Sequence, residues 1–203
     1  MHPDSSFAVL EAIDVVIDRQ WSTLGAPGLW MTGEERTEIV RIARSRQAPV
    51  DADDPAAAAA SLAAHRAATI TADTVDELES RGVRREHYVE IVGVVSRVAA
   101  IETFDRGIGR PARPAPPPLP GVPSRHVVAA AKRRAGWVPT VDAISPPTAL
   151  QAVPPEAAAQ EALHGALYLS YPGMADLAAV RGLSRAQMEL VAARVSYLND
   201  CFF

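Results

Sequence analysis

The stretch that decides the fold is LSRAQMELVAARVSYLNDCFF, residues 183–203. Ser184 is a good helix N-cap, and Gln187 three residues later completes the pattern of a capping box. Apolar residues then recur at spacings of three and four, which gives a helix one apolar face; they are Met188, Val191, Ala192, Val195 and Leu198. The stretch therefore predicts an amphipathic helix that leads to Cys201, the single cysteine of the sequence.

Similar capping signals and spacings occur along the rest of the chain and predict an all-α fold. Residues 84–106 are rich in valine, which also suits a strand, but a run of this length without a turn signal is too long for one strand. A short helix is expected around Leu150, and one or two helical turns at 174–180. The longer helices are predicted at 6–20, 32–46, 54–68, 71–80, 84–106 and 155–170.

Residues 110–124 have no periodicity and contain seven prolines, which predicts a stiff, extended connector of polyproline-II type. A peptide ligand for an aromatic-groove domain is the alternative. As a connector, this segment divides the chain into a helical unit without thiols at 1–109 and a second unit at 125–203 that contains the cysteine.

Composition limits the classes of function. A net charge of −4 gives no basic surplus for a phosphate backbone, so we expect no nucleic-acid partner. The sequence has no run of about twenty apolar residues and no signal-peptide pattern at its start, which together predict a soluble cytoplasmic protein without a membrane partner. A single cysteine agrees with a reducing compartment. No Cys/His cluster or glycine-rich phosphate loop occurs, so we expect no metal and no cofactor.

Residues 183–203 resemble the segment that leads into a Cys-x-x-Cys redox motif in the alkylhydroperoxidase D / carboxymuconolactone decarboxylase family. The run YVEIVGVVSRVAAIETFDRGIG at 88–109 is similar to the long helix of the two-part, peroxidase-related members, and GWVP at 136–139 resembles an element of theirs. The resemblance implies a helical bundle that assembles as a homo-oligomer. It also implies reduction of organic hydroperoxides, with a dithiol or thioredoxin-like protein as the reductant.

Two site residues follow from this resemblance. Cys201 matches the first cysteine of the motif, which is the resolving thiol, and Glu189, twelve residues earlier, matches the family's proton-relay carboxylate. In a continuous helix twelve residues would place Cys201 roughly 120° around the axis from Glu189. A bend near Asn199 and Asp200 would have to bring them together.

The family's second cysteine, which attacks the peroxide, would follow Phe203 directly, and its histidine would lie beyond. We expect selenocysteine after Phe203, because its codon is an opal stop and because a selenol is ionised at neutral pH, where an ordinary thiol is mostly protonated. A deliberate truncation or a nonsense mutation are the alternatives. The 203-residue form is expected to be inactive as a two-thiol peroxidase.

The single cysteine, Glu189 and two histidines can also be interpreted without any catalytic role. A single cysteine is most often an inert small residue, and Glu189 without the resemblance would be a solvated charge. His65 and His164 are expected to be surface or hydrogen-bonded histidines rather than ligands. The alternative function is a non-enzymatic, all-helical oligomeric scaffold without the thiol pair.

A short internal repeat links the two predicted units. Aligning Glu38 with Glu189 also aligns Ile39-Val40 with Leu190-Val191, and a capping signal precedes each segment. The first of these segments has no cysteine.

Overall fold

The chain folds mainly into helices in a computed structural model that describes residues 3–45, 53–143, 145 and 148–201. These residues form seven α-helices, which confirms the predicted all-α class. The helices are α1 (Pro3–Ser22), α2 (Gly33–Arg44), α3 (Pro55–His65), α4 (Ala72–Ser80), α5 (Arg85–Gly107), α6 (Pro154–Leu167) and α7 (Arg185–Leu198).

Four two-residue strands form two small antiparallel hairpins beside the helices. β1 (Lys132–Arg133) pairs with β2 (Pro139–Thr140), and β3 (Val180–Arg181) pairs with β4 (Leu183–Ser184). The second hairpin turns the chain directly into α7.

The helix starts predicted at Thr32 and Asp54 are confirmed by the hydrogen bonds at their caps. Thr32 and Glu35 exchange both bonds of a capping box at the start of α2. The Asp54 side chain accepts from the Ala56 backbone N–H at the start of α3. The predicted end of α2 at Arg46 lies outside the described residues, as do the two phenylalanines after Cys201.

The central helix is α5, which packs against α1, α2, α3 and α6. Its apolar residues are buried on nearly every side. Because this helix is covered on most sides, it supplies much of the core; the buried apolar members are Tyr88, Val89, Ile91, Val94, Val95, Val98 and Ile101.

Residues 110–124, which we call the proline strap, have no regular secondary structure and lie against the first helices. Trp21 Nε1 donates to the Pro114 carbonyl at 2.9 Å, and the Leu119 N–H donates to the Gly25 carbonyl at 2.8 Å. The strap is thus packed along the bundle, and α6 beyond it packs on α1 and α5. The division of the chain into two units remains a prediction.

The short helix predicted around Leu150 is wrong. Residues 149–152 form successive turns, and Leu150 is buried beside Trp30 and Val89 in a small second cluster. Val153 precedes Pro154 and has a non-helical backbone, with φ −129° and ψ 83°. A residue before proline avoids the helical region, so these turns cannot run on into α6.

Candidate functional site

The predicted carboxylate, Glu189, lies on the second turn of α7 and has two partners. The Tyr168 hydroxyl donates to Glu189 Oε1 at 2.6 Å, and Arg185 Nη2 forms an ion pair with the same oxygen at 2.6 Å. The hydrogen bond from Tyr168, helped by the charge of Arg185, holds the pKa of Glu189 below its usual range. Glu189 is therefore an ionised hydrogen-bond acceptor at neutral pH.

The predicted thiol, Cys201, is exposed just beyond the end of α7. Asp200 takes a left-handed backbone with φ +50°, and the Cys201 N–H donates to the Ser196 carbonyl at 3.0 Å. This is the six-to-one bond of a Schellman helix ending. The chain therefore turns at Asn199 and Asp200, but the Cys201 backbone stays beside Ser196, about 10 Å along α7 from Glu189 at 1.5 Å per residue, so this turn does not bring the two residues together. The catalytic roles of Cys201 and Glu189 remain predictions.

The apolar face of α7 is mostly exposed. Met188 is buried, whereas three other residues of the predicted apolar face are exposed; they are Val191, Val195 and Leu198. Leu190, which lies beside this face, is also exposed. Apolar surface gathered on one helix is typical of an interaction site. A homo-oligomer remains a prediction.

Sequence reasoning missed a second polar site, which is buried between α2, α5 and α6. Arg36 Nη1 lies 2.7 Å from Glu90 Oε1 and 2.9 Å from Glu156 Oε1. Arg97 Nη2 donates to both oxygens of Glu156, at 2.9 and 2.8 Å. At most 3 % of any of these side chains is exposed. We call the four residues the buried quartet.

The loop before α2 adds further hydrogen bonds to the quartet, although Arg97 Nε has no acceptor among the described residues. The Trp30 N–H donates to Glu90 Oε2 at 2.7 Å, and Arg36 Nε donates to the Leu24 carbonyl at 3.3 Å. Gly28 lies so close that an added Cβ would come 1.9 Å from Glu90 Oε1. Only glycine therefore fits this place in the loop.

Burial dominates the electrostatics of the quartet. It raises the pKa of Glu90, despite the opposing charge of Arg36, and it lowers the pKa of Arg97. Burial also disfavours the Arg36 cation, but the charges of Glu156 and Glu90 outweigh it and raise the pKa of Arg36. Two cations and two carboxylates thus compensate one another in a buried cluster, and the removal of one would leave another charge buried and unpaired.

A signal for the quartet exists in the sequence of α5. Glu90 and Arg97 are seven residues apart, and therefore on one face, within a stripe that is otherwise apolar. Glu156 is harder to find, because an acidic residue in the first turn of a helix is common for reasons of the helix dipole alone.

The two histidines that the sequence singled out are both hydrogen-bonded to backbone. His65 Nε2 lies 3.2 Å from the Ile42 carbonyl oxygen, and His164 Nδ1 contacts the Leu169 carbonyl oxygen. These bonds agree with the structural interpretation of both side chains.

None of the helices among the described residues is long and apolar enough to cross a bilayer. Comparison with known proteins gave no match, whether to family models, to curated proteins or to solved structures.

Proposed function

We propose that this chain is an alkylhydroperoxidase-like antioxidant protein, in which Cys201 is a redox-active thiol and Glu189 relays a proton. The observation that carries the proposal is the arrangement on α7. Glu189 is kept ionised by Tyr168 and Arg185, and the same helix ends at an exposed thiol. The resemblance of residues 183–203 to the approach to a Cys-x-x-Cys motif supports the same assignment.

The reaction has three steps. An attacking thiolate or selenolate, which the resemblance puts three residues after Cys201, bonds to one peroxide oxygen, and the O–O bond breaks to release the alcohol. The resemblance assigns to Glu189 the transfer of the proton from the attacking group to the departing alkoxide, which requires the attacking group to come beside the second turn of α7. Cys201 then attacks the sulfenic or selenenic acid, which releases water and closes a disulfide or selenenylsulfide bond.

A dithiol or a thioredoxin-like protein supplies the two electrons that reopen this bond. The cycle needs a compartment in which thiols are kept reduced, and the cytoplasm is the location that the proposal assumes.

The test is a gain of activity. The chain extended by one cysteine after Phe203 should consume cumene hydroperoxide in the presence of dithiothreitol, because the extension gives Cys201 a partner at the right spacing. The same extended chain with Cys201→Ser is the matched control and should not turn over through a disulfide. A lack of turnover by the extended chain, or equal turnover by the control, would reject the proposal.

A second candidate function is a non-enzymatic helical scaffold that assembles through α7. The exposed apolar face of this helix is the observation that favours it. A scaffold needs no thiol chemistry, so turnover by the 203-residue chain with dithiothreitol would reject it. An oligomer in sedimentation velocity that Leu190→Glu converts to monomer, without peroxide turnover by the extended chain, would support it.

A further inference from the structure

We propose that the cavity beside Trp137 binds a compact, uncharged molecule with a mainly hydrocarbon body. This cavity, which we call the Trp137 cavity, has a volume of about 340 Å³. It lies between the first two turns of α5, the β1–β2 hairpin and the turns before α6. Neither Cys201 nor Glu189 lines it, so binding here is separate from the thiol chemistry proposed for α7.

The described walls of the Trp137 cavity are mainly apolar and carry no charge. They consist of Tyr88, Val89 and Val92 of α5, segment 136–140, Ala149 and Leu150. Burial raises the pKa of Tyr88 to about 12, so its phenol is uncharged at neutral pH. The Thr140 hydroxyl already donates to the Asp142 carbonyl at 2.8 Å. A charged ligand would lose water in this cavity without meeting an opposite charge, whereas an apolar ligand gains by leaving water.

Hydrogen bonds hold the walls of the cavity in place. Arg85 Nη1 donates to the Trp137 carbonyl and so ties the hairpin to α5. Gln151 Oε1 accepts from the Val141 and Asp142 N–H groups, at 3.1 and 3.0 Å, and ties the end of the hairpin to the turns before α6. Because the walls are already ordered, a ligand has little chain to order when it binds.

Trp137 gives the cavity an apolar wall that is still in contact with water. It is 44 % exposed, whereas Trp21 and Trp30 are 7 % and 3 % exposed. An aromatic side chain offers a large contact area, and a ligand that covers it removes apolar surface from water. The exposed indole therefore both favours an apolar ligand and reports its arrival.

The volume of the cavity sets the size of the ligand. A cavity of about 150 Å³ holds one benzene ring, so a cavity of about 340 Å³ suits a body of roughly ten carbon atoms. The lining offers few polar partners, so such a ligand should have at most one neutral polar group. The class that fits is a compact bicyclic or cage-shaped hydrocarbon or its alcohol.

The test compares three molecules that share the adamantane cage and differ in charge. At neutral pH 1-adamantanol is uncharged, 1-adamantylamine is a cation and 1-adamantanecarboxylate is an anion. We expect 1-adamantanol to shift the tryptophan fluorescence to shorter wavelength in a saturable way, with a dissociation constant on the order of 0.1 mM. The amine and the carboxylate should bind about tenfold more weakly or worse, because each would have to lose the water around its charge.

Three variants tie the binding to the cavity. In Trp137→Phe the fluorescence shift should disappear, because the two remaining indoles are buried. Ala149→Phe places a ring at an exposed position of the lining and should weaken 1-adamantanol binding about tenfold by occupying part of the cavity. Ala99→Phe, at an exposed position on α5 outside the cavity, is the matched control and should bind like the original chain. Thermal unfolding checks that each variant is folded.

Any of four results would overturn the proposal. The first two are the lack of a saturable shift with 1-adamantanol and binding of the amine or the carboxylate as tight as that of the alcohol. The other two are an unchanged shift in Trp137→Phe and full binding by a folded Ala149→Phe.

Discussion

Helices α2 and α7 have similar N-terminal caps, but α2 is packed in the helical bundle and α7 is mostly exposed. Each starts with a complete capping box, and each carries a half-exposed glutamate that is ion-paired with an arginine of the same helix. The alignment that matches Glu38 with Glu189 also matches Ile39 with Leu190. Ile39 is 3 % exposed, whereas Leu190 is 73 % exposed.

The difference comes from what packs on each helix. α2 lies against α3 and α5 and also contributes Arg36 to the buried quartet. Among the described residues no helix packs on α7 to a similar extent, and Met188 is the residue of α7 that they bury. Local sequence therefore sets where both helices begin, but only long-range contacts decide whether an apolar face becomes core. We infer that α2 stabilises the fold, while α7 is left available for chemistry or assembly.

The largest effect should come from breaking the quartet on the α2 side. Arg36→Met leaves the buried Glu90 without its cation, which should lower the free energy of unfolding by about 3–5 kcal/mol. Arg41→Met removes the exposed partner of Glu38 and should cost about 0–1 kcal/mol. Urea denaturation measures both variants, and equal midpoints would contradict the assigned role of the quartet.

The aligned apolar pair gives the next effect. Ile39→Ala removes buried methyl groups and leaves a cavity, which should cost about 2–5 kcal/mol. Leu190→Ala changes a side chain that is already in water and should stay within about 0.5 kcal/mol of the original stability. If Leu190→Ala proved as destabilising as Ile39→Ala, the Leu190 side chain would be buried in solution, which would contradict the claim that α7 is exposed whereas α2 is buried.

A smaller effect should come from the first turn of α2, where the proline strap passes over it. A Cβ at Gly33 would come 2.3 Å from the Leu119 carbonyl oxygen, and the backbone on both sides would have to move. Gly33→Ala should cost about 1–3 kcal/mol, the usual range for overpacking. Gly107→Ala is the control, since its Cβ would meet nothing within 4 Å and should not destabilise the chain. Thermal unfolding should rank the two in this order.

The smallest effect concerns the electrostatics of α7. The pKa of Glu189 is lowered in the folded chain, so the interaction stabilises the fold above the usual carboxyl pKa and is lost as the pH falls through the lowered value. Tyr168→Phe removes the main cause and should move the pKa of Glu189 up toward its ordinary value. A ¹³C NMR titration of the carboxyl measures this, and an unchanged midpoint would show that Tyr168 does not bond to Glu189.

The sequence predicted the parts of the fold that are local. The caps at Thr32, Asp54 and Ser184 lie within a few residues of the groups they satisfy, so the pattern alone identifies them. Helix α5 was predictable because its apolar stripe is long.

The quartet was not predictable in the same way. Arg36 and Glu156 are separated by 120 residues, and only the packing of α2, α5 and α6 brings them together. The turns at 149–152 were also missed, because alanine and leucine favour a helix there; the proline after Val153 explains only why these turns do not continue into α6. The predicted thiol and carboxylate are both exposed and lie outside the core.

The most direct test of the central claim, that Glu189 and Cys201 act together in thiol chemistry, uses the aligned glutamates. In the chain extended by one cysteine, the rate of cumene hydroperoxide consumption should fall about 100-fold in Glu189→Gln, within the range of general acid–base catalysis. Glu38→Gln, at the aligned position of α2, should keep the full rate, and both variants should unfold at the same temperature as the parent. An equal rate in all three chains would contradict the account.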